Sequence, residues 1–115
     1  MKTALLDTNF ILTCVKQKID FFEEIELNGL AILIPAQVIR ELNGIKKPEA
    51  ELALKILEKN KFKKIDIGKG NVDKKIKKFA DENNGVFIAT LDKELKSKIK
   101  NRKIIIRGKK RISIQ

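Results

Sequence analysis

The chain has 115 residues, 43% of them hydrophobic and 36% charged, with one Cys, no His and a formal net charge of +11. That length suits one domain, residues 1–115, around a single hydrophobic core; the lack of His excludes His-zinc sites, Ser-His triads and imidazole acid-base work, and a lone Cys excludes an internal disulfide. The charge is uneven: residues 1–60 hold 8 Lys/Arg against 9 Asp/Glu, and residues 61–115 hold 18 against 6, which points to a polyanionic partner, most simply nucleic acid.

A Lys/Glu/Ile-heavy surface of the thermophile kind would explain part of that excess without any partner. No apolar run approaches the ~20 residues that span a bilayer, and the first charged residues come too early for a signal-peptide core. A soluble, cytoplasmic protein with no membrane association is expected. Cys14 lies within the apolar segment Ile11–Val15; with no His to activate it, it reads as a small buried filler.

Along the chain, residues 3–6 read as a buried strand that ends on Asp7, and residues 8–18 as a helix capped by Asp7 or Thr8. Residues 20–25 form a second short helix, stopped by Asn28-Gly29. Residues 30–34 are strand two. Pro35 suits the first turn of the helix over 36–43, and Pro48 opens a longer one to about residue 60. Residues 62–67 are strand three, followed by the loop Gly68-Lys69-Gly70. Asn71 caps a helix over 72–83, with Ile76, Phe79 and Ala80 inward. Residues 86–90 are strand four, continuous and apolar as a buried parallel strand should be. Asp92 opens a helix to about residue 101, residues 104–106 are strand five, and the alternating tail 111–114 suits an edge strand. Strands alternating with helices predict an α/β/α sandwich around a central, mostly parallel five-stranded sheet. Phe10, Phe22, Phe79 and Phe87 fall on apolar faces and belong to the core, so base stacking is a poor candidate for the main source of affinity.

Asp7 follows strand one, Glu41 lies in the helix after strand two, Asp73 in the first turn after strand three, and Asp92 just after strand four. Right-handed crossovers bring such positions to one edge of a parallel sheet, where ligands of open α/β folds bind. Taken singly, Asp7, Asp73 and Asp92 are equally helix caps or dipole partners, and Glu41 a solvated surface residue. Taken together they would repel one another unless a divalent cation neutralised them; oxygen donors without His or Cys select Mg²⁺ or Mn²⁺. Both readings stand on the residues alone.

The segments Leu5-Leu6-Asp7-Thr8-Asn9-Phe10, Val38-Ile39-Arg40-Glu41-Leu42, Asn71-Val72-Asp73-Lys74 and Ala89-Thr90-Leu91-Asp92-Lys93-Glu94 resemble, in order, the four acidic motifs of PIN-domain ribonucleases. The resemblance covers nearly the whole chain and is to short archaeal members related to the rRNA-processing branch, with VapC-type toxins more distant. It implies metal ligation or water activation by Asp7, Glu41, Asp73 and Asp92, bracing of the site by Asn9, a rim position for Thr90, and a supporting place for Glu94. It further implies RNA as substrate, a homodimer, and an antitoxin or a ribosome-assembly factor as partner. Lys74 departs from the pattern, because many relatives carry a second acid there. Lys93, Lys96, Lys109, Lys110 and Arg111 are the candidate RNA contacts, holding phosphates without reading sequence. A catalytically silent module that binds RNA or protein is the alternative that Lys74 favours. Gly68-Lys69-Gly70-Asn71 fits neither a dinucleotide nor a P-loop glycine pattern.

Overall fold

The computed structural model describes residues 2–108 and 110–115. Strands β1 (Thr3–Leu6), β2 (Ala31–Pro35), β3 (Lys63–Ile65), β4 (Phe87–Ala89), β5 (Lys103–Arg107) and β6 (Arg111–Ile114) form one sheet in the order β3-β2-β1-β4-β5-β6. All pairings are parallel except the last, β5 with β6. The alternating tail thus adds a sixth, antiparallel strand to the five parallel ones expected. Only three residues separate β5 from β6, which permits only that direction, since a parallel strand would need a crossover.

The strand faces follow the period of two. Ala4 and Leu6 of β1 point into one core with Ile32, Ile34 and Ala89, and Leu5 points into another with Leu33 and Ile88. Helices α1 (Thr8–Lys16), α2 (Phe21–Leu27), α3 (Ala36–Gly44) and α4 (Pro48–Lys59) pack on the first face through Phe10, Phe22, Val38 and Ala53. Helices α5 (Val72–Glu82) and α6 (Lys93–Lys98) cover the second through Ile76, Ala80 and Leu95. Three layers result, as predicted.

The elements depart from the expected ranges mainly at their ends. α1 stops at Lys16 because Lys18 turns left-handed, with φ of 60°. α6 closes at Lys98, three residues early: Ile99 is extended and buried, and the Asn101 amide donates to the carbonyls of Asn83 and Val86. β3 is cut short where the Asp66 carboxylate accepts the Gly68 N–H at 2.8 Å and turns the chain. Gly68 and Gly70 then take φ of 100° and 112°, a left-handed course that suits glycine. It delivers the chain to the start of α5. Lys63 and Lys64 are exposed on the β3 edge, a charge pattern that discourages pairing with another sheet. Cys14 is fully buried, its thiol pKa pushed up to about 12 by burial and then by Glu24. Phe10, Phe22 and Phe87 are buried; Phe79 is half-buried against the second core. Among the described residues no helix is long and apolar enough to cross a membrane.

Candidate active site

The strand order reverses between β1 and β4, since β1 is followed in the sheet by β2 on one side and β4 on the other. The connections from these two strands depart to opposite faces, opening a crevice at their carboxyl ends. Asp7 stands there. Its N–H donates to the Ala89 carbonyl at 3.0 Å, the last rung between β1 and β4. Its Oδ1 accepts the Thr8 N–H at 2.8 Å and caps α1, while its Oδ2 accepts the Thr90 hydroxyl at 2.9 Å. The residue is only 7% exposed.

Thr90 is fully buried and does two jobs. Besides donating to Asp7, its Oγ1 accepts the Asp92 N–H at 3.2 Å, tying the turn after β4 to the end of β1. Asp92 Oδ1 in turn accepts the Leu95 N–H at 3.1 Å and caps α6. On the other side the Thr8 hydroxyl donates to Glu41 Oε1 at 3.2 Å, drawing α3 toward the start of α1. At α5 the cap is Asn71, whose Oδ1 accepts the Lys74 N–H at 3.0 Å, so the Asp73 carboxyl is not used for capping. Capping and convergence therefore coexist: Asp7 and Asp92 do both.

The four acids, with Thr8, Asn9, Asn71 and Val72, line one depression of about 310 Å³. In a chain of net charge +11, no Lys or Arg among the described residues lines it. Burial pushes the Asp7 carboxyl above its ordinary value of 3.8; the hydrogen bonds from Thr90 and Thr8 pull it down, and repulsion from Glu41 and Asp92 pushes it up again. Asp73 is also raised, by loss of solvent around its carboxyl first, then by Asp7, by Asp92 and the hydrogen-bonding contact with it, and by Glu94. The depression is a concentration of negative charge at the sheet's switch point.

The chain as a whole is similar to known proteins. The model of the PIN like domain family matches residues 4–110. The chain belongs to that family. Ribonuclease VapC4 of Methanocaldococcus jannaschii is 36% identical over 123 residues, covering 94% of this chain and 92% of its own length. The PIN domain endonuclease Utp24 shares the fold, with a TM-score of 0.85 over 98% of this chain and 90% of its own at 24% identity.

The other expected positions of this PIN-like domain fall in different places. Asn9 lines the depression and is exposed, but among the described residues its amide makes no hydrogen bond to the acids; Thr90 and Thr8 brace them instead. Glu94 lies outside the depression, in a neighbouring cleft, paired with Lys98 at 2.8 Å. Lys93 and Lys96 line neither hollow, because the inner face of α6 is Glu94, Leu95 and Lys98, at helical spacing. Lys110 and Arg111 are exposed near the outer edge strand β6, and Arg111 Nε lies 3.8 Å from Glu24 of α2. Lys109 lies outside the described residues. Sequence reasoning missed Thr8 and Asn71 as lining residues, having read both only as candidate caps.

Proposed function

We propose that this PIN-like domain is a divalent-metal-dependent ribonuclease with Asp7, Glu41, Asp73 and Asp92 as its catalytic acids. One observation carries the reading: four carboxylates from four separate segments border a hollow that no Lys or Arg among the described residues lines. The donors are oxygens alone, which suits a hard ion such as Mg²⁺ or Mn²⁺. The pKa values of Asp7 and Asp73 are raised first by burial and then by the neighbouring acids, and a cation would relieve both. Among the described residues no three acids stand at a spacing that would grip one ion together, so the fit is one of donor type and charge.

Asp7, Asp73 and Asp92 would supply donors to the ion only by drawing closer than they stand here, with Glu41 beside them. Bound there, a divalent cation acidifies water, screens the nonbridging phosphate oxygens and neutralises the leaving oxygen. The protein's own groups orient the reaction. The Thr90 hydroxyl fixes the rotamer of Asp7 and the course of the turn to Asp92. Thr8 holds one oxygen of Glu41, and the exposed remainder of that carboxylate orients the attacking water and takes its proton. Asn9 and Glu94 flank the site. The substrate is RNA, drawn in by the surplus of Lys and Arg.

The decisive test is cleavage of structured and single-stranded RNA by the wild type and Asp7→Asn, each with Mg²⁺, Mn²⁺ or EDTA. Cutting by the wild type with a divalent ion, lost in EDTA and in the variant, is expected. No cutting at all, or cutting indifferent to both changes, would overturn the enzyme reading in favour of a binding module. The similarity to Ribonuclease VapC4 supports a VapC-type role, with an antitoxin as partner; maturation of ribosomal RNA with an assembly factor is the other role the resemblance implies. Growth arrest on expression that needs Asp7 supports the first, and accumulation of unprocessed rRNA precursor on deletion supports the second.

A further inference from the structure

We propose that the cleft between α5 and α6 is the subsite for the RNA phosphate next to the one being cleaved, and that Lys74, Lys77 and Lys98 neutralise it. The proposal rests on the ribonuclease reading for its ligand and goes beyond it by giving the strand a path. The cleft holds about 230 Å³ and shares Asn71, Asp73 and Asp92 with the acidic depression. The two hollows therefore adjoin. A single strand whose scissile phosphate lies over the acids would carry its neighbouring phosphate toward the cleft.

The charge changes across that boundary. Among the described residues no Lys lines the depression, whereas in the cleft Lys74 and Lys77 from the α5 wall and Lys98 from the α6 wall stand against Asp73, Asp92 and Glu94. Lys77 is paired with Asp81 at 2.6 Å and Lys98 with Glu94 at 2.8 Å, both between exposed side chains. Exposed i,i+4 pairs are weak and exchange readily for a better anion. Lys74 enters no salt bridge among the described residues, although it follows Asp73 directly. An ammonium is a mobile point charge that suits a singly charged phosphodiester and carries no base information. The contact is thus independent of sequence, and it selects RNA that extends beyond the cleaved linkage.

Binding of a labelled single-stranded RNA oligonucleotide in EDTA, followed by anisotropy across a salt series, tests this without any cleavage. The Lys74→Gln/Lys77→Gln variant should bind several-fold more weakly, and its log–log salt slope should fall by about 0.7, the share of one single-strand phosphate. Lys55→Gln, exposed on α4 across the sheet, should change neither. In the cleavage assay the double variant should raise KM on the oligonucleotide with kcat unchanged, and should leave a dinucleotide, which has no second phosphate, unaffected. An unchanged slope, or an equal loss in Lys55→Gln, overturns the subsite even if the protein cuts RNA. A lowered slope in the double variant alone upholds the phosphate contact even if no RNA is cut, in which case it is the ribonuclease reading that fails.

Discussion

The two faces of the sheet carry unequal layers. On one, α1–α4 bury Phe10, Phe21, Phe22, Val38 and Leu42 against β1 and β2; on the other, α5 and the six-residue α6 place little more than Ile76, Ala80, Leu95 and Ile99 over Leu5 and Ile88. The acids divide in the same way. Glu41 belongs to the thick side, Asp73 and Asp92 open the two helices of the thin side, and Asp7 stands at the seam. One half of the candidate site is thus set by a deep core, and the other by helix caps over a shallow one. A layer with few buried contacts opens more often, and the thin side is where a substrate strand would have to be accommodated.

Core truncations should show the largest contrast. Phe10→Ala removes a fully buried ring from the thick side and should cost about 3–5 kcal/mol, whereas Leu95→Ala, beside the open cleft, should cost nearer ~2 kcal/mol. Urea unfolding measures both, and equal losses would remove the distinction between the faces. Asp7→Asn should lower RNA cleavage by at least about a hundredfold, taking as a floor the upper end of what losing a metal ligand's outer partner costs.

The same substitution should raise the melting temperature of the metal-free protein by a few degrees near neutral pH. The sign follows from linkage: a carboxyl whose pKa is raised on folding contributes most below its ordinary value of 3.8 and loses that contribution as pH rises through the folded value. The gain of the variant should therefore shrink as the pH falls toward 4. Thr90→Val keeps the shape but leaves Asp7 Oδ2 and the Asp92 N–H without their partner. It should destabilise by about 1–3 kcal/mol and cut activity by roughly 10–100-fold. The smallest effect is at Cys14: the folded protein should resist iodoacetamide at pH 8, reacting only after denaturant is added, because the thiol is buried and its pKa stands near 12.

The layered α/β class was legible in the sequence because its strands are short apolar runs and its helices carry clear stripes, such as Val38 and Leu42 or Ile76 and Ala80. The placement of Asp7, Glu41, Asp73 and Asp92 after successive strands was legible for the same reason, since the parallel fold carries such positions to one edge. What composition could not supply was contact across the chain. The bond from Thr8 to Glu41 spans 33 positions and that from Thr90 to Asp7 spans 83, and nothing local distinguishes these threonines from ordinary ones. Nor could it tell which lysines would flank the acids. α6 has Lys at 93, 96 and 98; the packing of Leu95 and Ile99 decides that Lys98 faces the cleft. The tail 111–114 was legible as an edge strand from its alternation; its antiparallel pairing with β5 is what only the completed sheet reveals.

The account depends on a cation being the partner that makes this cluster of acids tolerable. Titration calorimetry of the metal-free protein with Mn²⁺, run beside Asp7→Asn, tests it most directly. The account predicts saturable binding by the wild type, protons released at acid pH as the raised carboxyls ionise, and binding weakened at least tenfold in the variant. Absence of binding by the wild type, or equal binding by both proteins, would contradict it.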